Sequence, residues 1–371
     1  MAEMETLTPR ERILRTFRRE PVDRIVWQPR FYYWYNGRKE DDTMPERYRG
    51  MSMLEVYDDL GASPRYPAET LGINLYRVEA DESIRVRAEA KGNDTALFHE
   101  TPVGMLREVT RKGSTGTGGY HVEYAVKTPG DMRVMQYILE HTRFLFDRKA
   151  FDAAEATFGD RCVTQTYYPR APLQRLIINY MGFESTVFAL NDWPDETQAF
   201  MKAIEGWDDG MYEEILSSPL EVVNFGENID SNVDSPDLFA EYLIPYYAKR
   251  VKQLHEKGKF CHIHIDGSMK PLLPLINEAG FDGIEAATPL PQGDVTLEEL
   301  KDALGDTVLL DGIPAVLFLP HYSEAEFEGF VKRVLEMFSP NLILGISDEL
   351  PPPGEIERVR RVTEMVAEFE P

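Results

Sequence analysis

Late in this chain, five short apolar runs each deliver a carboxylate or an imidazole near their C-terminal end. Val222-Val223-Asn224-Phe225 leads to Gly226-Glu227, and the next run carries His262 and His264 and stops at Asp266-Gly267. Gly283-Ile284 leads to Glu285, Val308-Leu309-Leu310 to Asp311, and the run through Ile346 to Ser347-Asp348-Glu349. Such groups move protons near neutral pH or bind metals. His264 and Asp266 share one face of an extended strand. The pair suits a divalent cation with further carboxylates nearby, or an aspartate that orients a general-base histidine. His262 is expected on the other side of the strand, packed against a helix with a satisfied nitrogen. Glu227, Asp311 or Asp348 taken singly also suits helix capping. The conjunction of the five is what argues for a site.

A second feature lies near the start. Trp27-Gln28-Pro29-Arg30-Phe31-Tyr32-Tyr33-Trp34-Tyr35 is unusually aromatic. Read as a loop, it offers Trp27, Phe31 and Tyr33 to a flat or apolar ligand, or else forms a lid packed on its own protein. Arg30, and Arg170 in Tyr167-Tyr168-Pro169-Arg170, suit a ligand carboxylate or phenolate, or pair with the chain's own acids. Tyr168 and Asp311 are assigned to the same ligand pocket.

The elements that must hold these residues follow from periodicity. Thr8-Pro9-Arg10-Glu11 reads as a capping box with proline at the first helical position, followed by the stripe Ile13, Leu14 and Phe17. From Tyr76 to Val126, alternating runs such as Ile84–Arg87, Met105–Val109 and His121–Val126 read as antiparallel strands. Gly113–Gly119, glycine-rich but opening no helix, is expected to be a hairpin tip rather than a phosphate cradle. Beyond Thr128 the rhythm is strand and helix in turn, with helical segments at Leu238–Glu256, Pro271–Glu278, Leu297–Leu304 and Ala325–Phe338. That alternation implies parallel strands with crossover helices. No G-x-G-x-x-G fingerprint supports a dinucleotide-binding sheet. The expected fold is therefore α/β: a (β/α)8 TIM barrel with an N-terminal extension and an inserted antiparallel segment at about 76–126, forming one domain over 1–371. The C-terminal ends of its strands would ring a single mouth.

Composition narrows the function classes. Across 371 residues, 40 Lys+Arg against 64 Asp+Glu give a net charge of −24, which opposes binding to nucleic acid or an anionic membrane. Two cysteines, Cys162 and Cys261, cannot build a disulfide framework and suit a reducing compartment. There is no apolar run of transmembrane length, and Met1-Ala2-Glu3-Met4-Glu5 is no signal sequence, so the expectation is a cytoplasmic enzyme.

At these strands the sequence resembles the uroporphyrinogen decarboxylase superfamily, which includes corrinoid-linked methyltransferases. The resemblance begins at Thr8-Pro9-Arg10-Glu11-Arg12 and Glu20-Pro21-Val22-Asp23-Arg24-Ile25. It continues through Ser235-Pro236-Asp237-Leu238-Phe239 with Pro245, and ends at Pro351-Pro352-Pro353. It implies the barrel fold and a homodimer. Decarboxylases of the family hold porphyrinogen carboxylates with an arginine-rich segment after the first strand, where this chain keeps only Arg30. The methyltransferases hold zinc with a histidine and two cysteines. Here His264-Ile265-Asp266-Gly267 matches the first motif with Asp266 in the cysteine's place, and Asp348 stands for the second cysteine. The resemblance thus implies a site of His264, Asp266 and Asp348 for zinc or another divalent metal such as iron or manganese, harder than a thiolate site. It points to a corrinoid-dependent methyltransferase of the O-demethylase kind. Such an enzyme moves a methyl group from a methoxylated aromatic to the Co(I) corrinoid of a partner protein, with Glu227, His264, Glu285 and Asp348 as catalytic candidates. A uroporphyrinogen decarboxylase-like carboxy-lyase is the alternative, and a catalytically silent binding barrel a third reading.

Overall fold

The structure is a computed structural model describing residues 6–113 and 118–371. The first five residues and residues 114–117 of the hairpin tip expected at Gly113–Gly119 lie outside the described residues. Contacts divide the chain into two compact units. One comprises residues up to Leu75, Lys149–Tyr168 and Leu220–Pro371, and the other Tyr76–Arg148 and Pro169–Pro219.

The first unit opens with helix α1 (Pro9–Arg18). Glu11 N–H donates to Thr8 Oγ1 at 3.2 Å and Thr8 N–H to Glu11 Oε2 at 2.7 Å, completing the expected capping box. The helix stops at Arg19, whose φ of 58° is left-handed. Strand β1 (Val26–Trp27) follows. The aromatic run is then helical rather than a loop: α2 spans Tyr32–Glu40, burying Trp34 and Tyr35 and leaving Tyr33 exposed. Helical rotation of about 100° per residue is what turns these consecutive aromatics toward different neighbours.

The second unit carries the antiparallel strands. Strand β2 (Tyr76–Ala80) pairs with β7 (Thr142–Phe146), and β3 (Arg85–Lys91), β4 (Asp94–Thr101), β5 (Gly104–Lys112) and β6 (Gly119–Glu123) form a four-stranded sheet in that order. A 24-residue helix, Pro194–Ser217, belongs to this unit, and inside it Arg175 pairs with the buried Asp208.

The parallel sheet returns in the first unit with β8 (Val222–Ile229), β9 (Phe260–Ile265), β10 (Gly283–Glu285), β11 (Val308–Pro314) and β12 (Leu342–Ser347). Its order is β1-β12-β11-β10-β9-β8. Two extended segments complete the circle. Ser63 N–H donates to Trp27 O at 2.9 Å and its hydroxyl to Arg161 O at 2.5 Å, while Tyr167 bridges in parallel to Asn224 of β8. The fold is the expected (β/α)8-type barrel. Two helix boundaries differ from expectation. Pro271–Glu278 is a 3-10 helix at Lys270–Leu275 with Pro274 inside it, since proline cannot donate to an α-helical ladder. Leu238–Glu256 enters through a π-helical turn, Phe239–Leu243, before a regular helix at Ile244–Glu256.

Hydrocarbon fills the floor of the barrel. Ile13, Leu14 and Phe17 from α1 pack with Val26, Val163, Val222, Val308, Leu310 and Ile343, and Phe17 stacks on Phe260 with ring centroids 5.6 Å apart. No helix among the described residues is long and apolar enough to cross a membrane.

Candidate active site

Above the hydrocarbon floor the inward side chains turn polar. Arg65, in the extended segment between the Gly61 cap and Pro67, is 1% exposed and holds two carboxylates. Its Nη1 donates to Glu285 Oε1 at 2.5 Å, its Nη2 to Asp311 Oδ1 at 2.7 Å, and its Nε to Gln28 Oε1 at 2.9 Å. Asp311 has a φ of 86°, an uncommon conformation for a residue with a Cβ. Its carboxylate also accepts the Ala286 N–H at 3.2 Å. The neighbouring strand leaves room only because it carries glycine: a Cβ on Gly345 would lie 2.1 Å from Asp311 Oδ1.

Glu285 is saturated. Beyond Arg65, its Oε1 accepts the Tyr66 hydroxyl at 2.6 Å, and its Oε2 accepts Asn224 Nδ2 at 2.7 Å and faces His264 Nδ1 at 3.3 Å. Burial favours its neutral form, but the Arg65 charge and the His264 hydrogen bond win and hold it well below the usual carboxylate range. Glu285 is therefore an ionised anchor and a poor proton donor. Asp311 goes the other way, pushed up to about 6 because burial outweighs the Arg65 charge.

His262 and His264 share a face, contrary to expectation, because residues two apart on a strand point the same way. His262 Nδ1 stands 3.7 Å from the same Glu285 Oε2, and its Nε2 is 2.7 Å from Gln165 Oε1. Burial lowers its pKa to about 4, so it is a neutral core imidazole. His264 lies one layer nearer the mouth. Burial disfavours its charged form, yet the Glu285 hydrogen bond and the Asp348 charge outweigh that and raise it to about 8. Its Nε2 is buried with no hydrogen-bond partner and lies 4.0 Å from Asp348 Oδ1.

One ligand atom from each of His264, Asp266 and Asp348 falls within 4.8 Å of the others. This is the trio that the sequence proposed for a metal. The orphaned Nε2 beside two carboxylates fits a hard or borderline divalent cation, and the Nδ1 contact to ionised Glu285 is the usual outer support of a metal-binding imidazole. A second trio, His255, Cys261 and Asp282, also lies within 4.8 Å. There Asp282 Oδ2 already accepts the Cys261 N–H at 2.7 Å and contacts His255 Nε2 at 2.9 Å.

Beside the first trio, Arg30 is 5% exposed and engages Asp348, Glu69 and Glu349. Glu349 Oε2 also accepts the Tyr33 N–H at 3.0 Å, and burial pushes its carboxyl up to about 8 despite Arg30. The other sequence candidates are more scattered. Glu227 is buried in β8 and Tyr168 at the close of its segment. Phe31 is wholly buried against Tyr57, at 4.1 Å between centroids. Trp27 lies between inward-facing Val26 and Gln28, so strand alternation turns its ring away from the barrel axis. Arg170 belongs to the second unit, where its carbonyl accepts Arg175 Nε at 2.7 Å. Sequence reasoning missed Arg65, Tyr66, Gln28, Gln165 and Glu69. The available signal was an arginine–tyrosine pair between a helix-ending glycine and a proline, with no apolar run to mark it as a stave.

Comparison with known proteins agrees with this architecture. The solved structure of a methyltransferase from Methanosarcina mazei superposes with a TM-score of 0.62 at 14% identity, covering 98% of this chain and 99% of that one. A structure of the pneumococcal virulence factor StrH, from work on N-glycan recognition and hydrolysis, overlaps 93% of this chain and 82% of its own at 10% identity. The TM-score of that overlap is 0.35. No curated protein sequence matches the chain. The sequence model of the family described as uroporphyrinogen decarboxylase (URO-D) matches residues 176–369, just over half of the chain and most of the strands that carry the site. The chain belongs to the uroporphyrinogen decarboxylase family.

Proposed function

We propose that this protein is a methyltransferase that moves a methyl group from a methoxylated aromatic to the Co(I) corrinoid of a partner protein. The observation that carries the reading is the trio of His264, Asp266 and Asp348, with a partnerless imidazole nitrogen between two carboxylates. The fold shared with the Methanosarcina methyltransferase supports it.

In this reaction the bond between the methyl carbon and the ether oxygen breaks, the carbon joins the corrinoid, and the electron pair stays on the oxygen as a phenolate. Phenolate is a poor leaving group unless its charge is met. A divalent metal such as zinc, held by His264, Asp266 and Asp348, would supply Lewis acidity there. The chain's own part is preorganisation. Arg65, Tyr66 and Asn224 fix Glu285, and Glu285 fixes the His264 ring so that Nε2 points at the carboxylates. Of the carboxyls considered for holding a proton, Glu227 remains a candidate, since Glu285 is kept ionised by Arg65 and His264. Tyr33 and Tyr168 remain candidates to meet the aromatic ring.

The decarboxylase reading needs cations for a substrate with many carboxylates, yet within the barrel unit Arg30 and Arg65 already hold the protein's own. Incubation with reduced corrinoid protein and a methoxylated phenol is expected to give the methylcobalamin spectrum. No spectral change across a panel of aryl methyl ethers and methylamines would overturn the proposal. Carbon dioxide release from uroporphyrinogen would replace it with the decarboxylase reading.

A further inference from the structure

Arg30 has the chemistry to grip a substrate anion, and its neighbours leave it no opportunity. A guanidinium has five N–H donors in a planar fork. Nε and Nη2 of Arg30 reach Glu69 Oε2 and Oε1 at 3.3 and 2.6 Å, Nη2 also reaches Glu349 Oε1 at 2.7 Å, and Nη1 reaches Asp348 Oδ1. Only one N–H remains for anything else. The guanidinium is also flanked on one side by the rings of Tyr66 and Tyr167, whose centroids lie 5.3 and 5.7 Å from its carbon and 4.2 Å from each other. Tyr167 Oη in turn donates to Glu69 Oε1 at 3.3 Å. A side chain held along its edges and against two rings, 5% exposed, is built into the protein.

We propose that Arg30 is a positioning residue that fixes Asp348 for metal binding, rather than a hook for the substrate. Asp348 lies just beyond β12, and no regular element of its own fixes it. The bidentate grip on Glu69 locks the guanidinium in place, and Nη1 then takes one Asp348 oxygen. The oxygen it holds, Oδ1, is the one that lies 4.0 Å from His264 Nε2, so the grip sets the position of the Asp348 carboxylate relative to the imidazole. The same cation offsets the repulsion between the Glu69 and Asp348 carboxylates that it holds together. Lysine could supply the charge but not the planar fork.

The inference rests on the metal reading of His264, Asp266 and Asp348, and one titration separates the two. Zinc affinity of the full-length protein is measured by competition with a chromogenic chelator for the wild type, Arg30→Lys, Arg30→Met and Glu69→Gln, with a melting curve for each. Outer-shell partners of metal ligands typically contribute 10–100-fold in affinity. Arg30→Met is expected to lose about that much, Arg30→Lys to recover part of it, and Glu69→Gln to show a smaller loss in the same direction. If Arg30→Met does not fold, the other two variants decide. Unchanged or tighter zinc binding in the variants overturns the proposal, because it means that Arg30 merely competes for the Asp348 carboxylate. A raised KM for the methyl donor with unchanged zinc affinity restores the substrate-hook role. A wild type that binds no zinc removes the metal reading itself.

Discussion

At the floor of the barrel Val26, Val163, Val222 and Phe260 meet as hydrocarbon; two residues further along the same staves stand Gln28, Gln165, Asn224 and His262. The strand geometry is the same in both layers, since inward positions recur every second residue. The free-energy terms differ. Floor residues are held by removal of apolar surface from water, a non-directional gain that tolerates small adjustments. Each residue of the polar layer must instead find a named partner, because a buried charge or amide without one is costly. The floor therefore needs only bulk of about the right size, whereas the layer above it needs particular residues. A site that must present a partnerless nitrogen at His264 can do so because Glu285, which meets the other ring nitrogen, is itself fixed by Arg65, Tyr66 and Asn224.

The comparison breaks most visibly at Arg65. Arg65→Met would leave Glu285 and Asp311 buried without their cation, and removing one partner of such a buried cluster costs roughly 3–5 kcal/mol. Urea unfolding at neutral pH should show a loss of that size although methionine keeps much of the volume. A loss below about 1 kcal/mol would mean that the polar layer is as forgiving as the floor.

The difference between the layers also explains what the sequence made legible. Strand–helix alternation gave the barrel, because burial of alternate faces leaves a periodic trace. His264 and Asp266 were readable as a pair at the end of one strand, and Asp348 joined them through its place in the family motif. Arg65 and Tyr66 were not, since their stave is short, irregular and flanked by Gly61 and Pro67 rather than by an apolar run. Glu285 was visible as a residue, but its role depends on partners far away in sequence: Tyr66 is 219 residues distant and Arg65 is 220. No local pattern encodes such pairings. The aromatic run left two readings open, a surface that meets ligand and a segment packed on its own protein, and burial of Phe31, Trp34 and Tyr35 sides with the second for those three rings.

A smaller effect separates the layers by pH. His262 is neutral in the folded protein with a pKa lowered to about 4, against an unfolded value near 6.5. The unfolded chain therefore binds the extra proton first. The contribution of His262 is fully present above about pH 6.5 and is lost as the pH falls toward 4, reaching roughly 2 kcal/mol by pH 5. A cation at His264 would push the same way. Urea melts from pH 7 to 5 should show wild type losing stability relative to His262→Gln by that amount. A constant difference between the two proteins would mean that the imidazole is not held neutral.

The smallest expected effect tests the floor from outside. Helix α1 seals the barrel with Ile13, Leu14 and Phe17, and its first turn depends on the reciprocal hydrogen bonds of Thr8 and Glu11. Thr8→Ala deletes the side-chain cap while touching nothing in the polar layer, and loss of such a cap costs about 1 kcal/mol. Because α1 meets the barrel through its apolar stripe and through Arg10, which pairs with Glu155 and Glu221 and not with the polar layer, that loss should appear in stability alone, with zinc affinity and methyl transfer unchanged. A change in zinc affinity on Thr8→Ala would instead show that the floor transmits its position to His264, through Phe17 and the His262 ring whose centroid lies 6.3 Å away. The separation drawn between the two layers would then have to be abandoned.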